Sequence, residues 1–152
     1  MKKSKTTALL IVDLQKSFEP SQKMIDSILK ISKNYNTVLA TQFIEGNHLF
    51  KKIRNRKIHS NEELSLCNLP KNSIIFQKTS YGLPPKLINY LKKKKIEKVD
   101  ICGHQTESCV LASAFYLWDI GIEPNILKEL VSTKKKNLHY HKAAFLIFEK
   151  NF

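Results

Sequence analysis

A chain of 152 residues, 42% of them hydrophobic, has the length and composition of one domain with a real core. No apolar run approaches the roughly 20 residues a membrane-spanning helix needs, and three cysteines without C-x-x-C spacing argue against a disulfide framework or a thiolate zinc site. The formal charge of +13 and pI near 9.7 come mainly from lysine runs, Lys92 to Lys95 and Lys134 to Lys136, with no aromatic interleaving; we read them as solvated surface, not a nucleic-acid footprint.

The basic start, Met1-Lys2-Lys3, leads only to the short apolar run Ala8 to Val12, with no small-residue cleavage site, so a cytoplasmic protein is expected. That run, unbroken by polar residues, predicts a strand buried on both faces. Apolar residues at helical spacing (Met24, Ile25, Ile28, Leu29, Ile31) predict a helix from about Gln22 to Tyr35. Thr37 to Phe43 reads as a second strand, followed by an irregular charged stretch from His48 to Leu69 with a short helix around Leu49 to Ile53. Ser73 to Gln77 reads as a third strand, and Pro84-Pro85 opens a helix through Leu91.

Lys98 to Cys102 predicts a fourth strand ending at Gly103. Ser108 to Asp119 follows as a helix whose buried stripe would be Val110, Leu111, Ala114, Phe115 and Trp118, with Gly121 as its stop. Glu123 to Leu127 is the expected fifth strand and Asn137 to Phe148 the last helix. Strands alternating with amphipathic stretches define an α/β domain, 1–152, with a parallel sheet wound on both faces.

In such a sheet ligands bind beyond the carboxyl ends of the strands. The first strand ends in Asp13, the third runs into Lys78, and the fourth leads to Cys109. In the first turn of a helix, with an ammonium nearby, the Cys109 thiol would titrate below its ordinary value of about 8.5. Asp13 suits a general base for the thiol, Lys78 a stabiliser of developing negative charge, and the backbone N–H groups from Gln105 to Cys109 an oxyanion hole. Cys102 reads as core, and His139 and His141, two apart on a helix, as surface.

Three segments carry a family resemblance. Leu10-Ile11-Val12-Asp13-Leu14-Gln15-Lys16-Ser17-Phe18 resembles the opening of the isochorismatase-like cysteine hydrolases, Gln77-Lys78-Thr79-Ser80-Tyr81-Gly82 their lysine segment, and Cys102-Gly103-His104-Gln105-Thr106-Glu107-Ser108-Cys109-Val110 their G-x-x-T-x-x-C-V segment. The later Trp118-Asp119-Ile120-Gly121-Ile122 is similar to the family's glycine run. The resemblance implies a Rossmann-like three-layer α/β/α fold with a mainly parallel five- or six-stranded sheet. It also implies a catalytic Asp13, Lys78 and Cys109, no organic cofactor, a homodimer or higher homo-oligomer, and a non-proline cis peptide near Gln105-Thr106. The implied reaction is cleavage of a small-molecule amide or related C–N bond through a thioester-type intermediate. Gln15, Phe18, Phe43, Tyr81, His104, Gln105 and Thr106 are the expected substrate-binding residues.

The family's nicotinamidases carry a metal-binding Asp and histidines after the second strand. The corresponding stretch, Thr41 to His48, has no D-x-H, so no catalytic metal is expected. Two alternatives stand beside the hydrolase: a non-catalytic relative binding an anionic partner or nucleic acid through its basic surface, and thiol redox chemistry at Cys109.

Overall fold

The computed structural model describes residues 3–44, 48–54 and 64–152, and the side chains of His48, Lys51 and Arg54 stand outside that description. Five strands, β1 (Thr7–Val12), β2 (Thr37–Phe43), β3 (Ile74–Lys78), β4 (Lys98–His104) and β5 (Glu123–Ser132), form one all-parallel sheet in the order β3-β2-β1-β4-β5. The expected architecture is therefore correct, with five strands. Every residue of β1 is buried, as an unbroken apolar run at the centre of a parallel sheet requires.

Helix α1 (Gln22–Ser32) covers one face. Its start is set by Ser21, whose hydroxyl accepts from Met24 N at 3.2 Å, and Met24, Ile25 and Ile28 pack on Leu9, Ile11, Val38 and Cys102. The short α2 (His48–Arg54) falls where a short helix was expected. Helices α3 (Pro85–Lys93), α4 (Leu111–Asp119) and α5 (Leu138–Asn151) cover the opposite face with Leu87, Leu91, Ala114, Leu117, Ala144 and Phe148. The chain leaves β1 toward β2 but leaves β4 toward β5. The strand order therefore reverses between β1 and β4, and a cleft is expected at their carboxyl ends.

Gly103 makes the tightest demand on sequence. It pairs with Val12 at φ +113°, and a Cβ there would lie 2.1 Å from the Val12 carbonyl oxygen, which is backbone and cannot yield. Gly103→Ala is expected to cost roughly 3 kcal/mol or more, read as a lowered urea midpoint; an unchanged midpoint would refute this packing.

Two expectations need correction. Strand β5 runs to Ser132, beyond the expected Leu127. Its register on β4 shifts, with Ile101 opposite Ile126 but Gly103 opposite Val131, so extra residues bulge from β5 and its end is carried level with His104. Trp118 is 55% exposed, against Phe152, and is not core. The buried side of α4 holds Ser113 instead, because its hydroxyl is satisfied by the Cys109 carbonyl at 2.6 Å.

Candidate active site

Asp13 follows β1 in a left-handed conformation, φ +45°, which Asp tolerates better than most side chains. It is wholly buried. Thr41, on β2, anchors it twice: the hydroxyl accepts from Asp13 N at 3.1 Å and donates to Oδ1 at 2.7 Å. Lys78, at the end of β3 and also buried, places Nζ 3.1 Å from Asp13 Oδ2 and donates to the Tyr81 carbonyl at 2.9 Å. Oδ2 has this ion pair but no hydrogen bond of good angle, so it keeps a lone pair for an incoming proton.

From β4 the chain passes a cis peptide between His104 and Gln105, one bond earlier than expected, into a π-helical turn, Thr106–Val110. Ser108 N and Val110 N both donate to the Gln105 carbonyl at 3.1 Å, which closes the turn and sets Cys109 on its inner side. The Cys109 thiol comes within hydrogen-bonding reach of both the Asp13 carboxylate and the Lys78 ammonium. The fold thus brings together the three residues expected at three strand ends.

The electrostatics contradict the expectation of a lowered thiol pKa. Burial, then the Asp13 carboxylate, push Cys109 up to about 12, and Lys78 offsets only part of that. The largely desolvated site disfavours thiolate more strongly than Lys78 favours it, so the resting sulfur is a thiol.

The surrounding residues divide. Gln15 was expected on the substrate; it is wholly buried and spent on backbone. Its amide donates to the carbonyls of Phe43 (2.9 Å) and Leu64 (3.0 Å) and accepts from Phe43 N (2.8 Å), tying β2 to the segment after β1. Thr106, also wholly buried, donates to the Ser132 carbonyl at 3.1 Å and so fastens the nucleophile turn to β5. Both hold the site through these bonds. Phe43 packs edge-on to Phe50, which lies against the half-exposed Tyr81 ring, and Phe18 stacks on His104. Gln105 is partly buried at the mouth of the turn.

Sequence reasoning passed over Thr41, Ser132 and His141. Thr41 left one trace, a polar residue directly after the apolar run Val38 to Ala40. His141, expected on the surface, is partly buried with Nδ1 2.8 Å from Thr106 Oγ1, because α5 packs on the nucleophile turn. His139 is exposed, as expected. No three His, Cys, Asp or Glu side chains group as metal ligands among the described residues; Glu45 and the His48 side chain lie outside them.

His104 makes acid stability testable. Burial, and then the Lys134 ammonium, lower its pKa from 6.5 to about 4. Between those values the unfolded chain takes a proton that the folded chain refuses. Stability should therefore fall by about 3 kcal/mol as pH drops through the window, with no further loss from this group below it. Urea unfolding of wild type and His104→Val across pH 7 to 4 checks this. A constant difference between the two would show that the ring is not buried neutral.

A parallel sheet reversing at β1 and β4, with a cysteine turn beside a buried Asp–Lys pair, defines an α/β protein with a strand-end thiol site. The chain belongs to the isochorismatase family: the model of the Isochorismatase domain matches residues 7–152. No curated protein sequence matches it. Among solved structures it is similar to the nicotinamidase PncA from Bacillus subtilis, with 20% identity, TM-score 0.81 and coverage of 96% of each chain. It is also similar to the pyrazinamidase of Pyrococcus horikoshii in complex with zinc (23% identity, TM-score 0.78, 95% of each chain). A third is an isochorismatase-like hydrolase from Alkaliphilus metalliredigens, at 16% identity and TM-score 0.77, covering 95% of this chain and 90% of that one. At these identities the likeness concerns the fold.

Proposed function

We propose that the protein is a cysteine hydrolase that cleaves a small-molecule amide or related C–N bond. The observation that supports this reading best is the buried Asp13–Lys78 pair beside the Cys109 thiol. A charge pair buried with so few partners is a poor choice for stability, since desolvation offsets most of its attraction; beside a nucleophile it has a use. Family membership, and neighbours named as nicotinamidase and pyrazinamidase, point to the same class of reaction.

Asp13 takes the thiol proton as sulfur attacks the carbonyl carbon, so the anion forms only as the C–S bond forms. Backbone N–H groups between Gln105 and Cys109 receive the oxyanion, and Lys78 stabilises the developing negative charge. The tetrahedral adduct collapses as Asp13 returns the proton to the departing nitrogen, leaving a thioester on Cys109. Water then attacks the thioester, Asp13 again takes a proton, and the acid leaves as the thiol is restored. The sequence balances without an organic cofactor or redox partner.

The test is intact-mass spectrometry after rapid acid quench with a panel of small primary amides. A mass increase matching the acyl group, mapped to Cys109 and missing in Cys109→Ala, is expected. Hydrolysis should also drop by ~10⁴-fold or more in that variant. Turnover that survives Cys109→Ala would end the reading.

A further inference from the structure

At the carboxyl edge of the sheet three buried polar atoms lack a hydrogen-bond partner among the described residues: Asp13 Oδ2, which is ion-paired with Lys78, Glu107 Oε2, whose carboxylate takes a bond from Thr133 through Oε1, and His104 Nε2. His104 is 1% exposed, with Nδ1 3.0 Å from Ser132 Oγ and its ring stacked on Phe18 at 4.9 Å between centroids. Its Nε2 is buried and has no hydrogen-bond partner among the described residues. Leaving such an atom unpaired forfeits the hydrogen bonds it made to water, and an aliphatic side chain would fill the same place without that cost. The Nδ1 bond turns that side of the ring toward β5, so Nε2, on the diverging side, faces away from it. His104 follows Gly103, the partner of Val12, and so stands level with Asp13 across the β1–β4 switch point.

A second group lies near it along β5's exit. Lys134, two residues past Ser132, is partly buried and joins none of the ion pairs seen among the described residues. Its charge reaches His104 strongly enough to oppose protonation there. A neutral imidazole with a free nitrogen, next to an unpaired ammonium, favours a ligand atom that is an acceptor and carries negative charge.

We propose that the buried, unpartnered Nε2 of His104 and the ammonium of Lys134 together receive an anionic oxygen of the substrate, so that the amide cleaved at Cys109 carries a carboxylate or comparable acid group. Ser132 Oγ–H then donates to Nδ1, and Nε2–H donates to the ligand oxygen. Phe18 closes one face of the ring and keeps water from the bond. His104 is thus a specificity-determining residue. The inference rests on the hydrolase reading for its substrate but can fail independently of it.

The experiment uses Cys109→Ala protein with ¹⁵N-labelled histidine, so that no probe is turned over. The probes are the monoamides of malonic, succinic, glutaric and adipic acids, each matched with its neutral diamide. At least one acid monoamide is expected to shift the Nε2 resonance of His104, and its diamide to leave that resonance in place. Lys134→Gln should weaken binding of the acid probe about tenfold (about 1.4 kcal/mol). His104→Val should abolish the acid preference, and His104→Gln, which offers an N–H near the Nε2 position, should keep part of it. Should no monoamide move the resonance, or monoamide and diamide move it alike, the inference is overturned. Acyl-enzyme formation in wild type on neutral amides, with no acid preference, would overturn this inference alone. Acid probes that bind to His104 while no acyl group ever appears on Cys109 would overturn the hydrolase reading alone.

Discussion

Asp13→Asn is expected to make Cys109 more acidic and the enzyme less active at once. The carboxylate opposes thiolate formation chiefly through its charge. Neutralising it while Lys78 stays in place should bring the Cys109 titration down from about 12 toward the ordinary range. Amide turnover should fall by ~10²–10⁴-fold, because the group proposed to take and return the proton is gone. The measurement is the rate of iodoacetamide labelling against pH, with mass spectrometry separating Cys109 from Cys67 and Cys102, alongside hydrolysis rates. A site whose chemistry needed only thiolate would gain activity in this variant. Gain or no change would remove Asp13 from the base role, and an unmoved labelling profile would remove it from the neighbourhood of the thiol.

Lys78→Met is expected to have the largest effect on stability. It leaves the wholly buried Asp13 carboxylate without its counter-ion, and breaking one side of a buried pair costs about 3–5 kcal/mol. The Cys109 pKa should rise further, since Lys78 is the group that lowers it. The double variant, Asp13→Asn with Lys78→Met, should regain much of the lost stability because no charge is then buried alone. Urea unfolding at pH 7 reads all three proteins. Equal losses for the single and double variants would show that Lys78 acts through packing of its stem and not through charge.

The expected strand starts and ends fall within a residue or two of those found for β1 to β4, and the reason is local. A continuous apolar run bounded by polar residues has few other ways to be buried, and the central strands of a parallel sheet are covered on both faces; β3, at the edge, is legible from its β-branched run although Ile74 and Ile75 are exposed. The edge strand β5 was read short because Lys128 and Glu129 interrupt its pattern; an edge strand with a bulge tolerates exposed charges that a central strand does not. The stripe of α4 was misplaced for a related reason. Ser113 looks polar and Trp118 apolar, but the Cys109 carbonyl satisfies the first, and the second lies on the outer side of the helix.

For the site, the sequence by itself determined which reactive residues stand at strand ends, since chain order and the one-directional strands of a parallel sheet place Asp13, Lys78 and Cys109 on one edge. It also marked Gly103 as the end of β4. Only the tertiary structure decided how Cys109 titrates and which neighbours these groups keep. Thr41 is 28 residues from Asp13, Ser132 28 from His104 and His141 35 from Thr106. Gln15 ties β2 to the segment after β1 for the same reason. A pKa depends on how much water and which charges surround a group, and a hydrogen bond on atoms within about 3 Å. Neither quantity is encoded in spacing along the chain, and both arise only when the sheet closes and the helices pack over its edge.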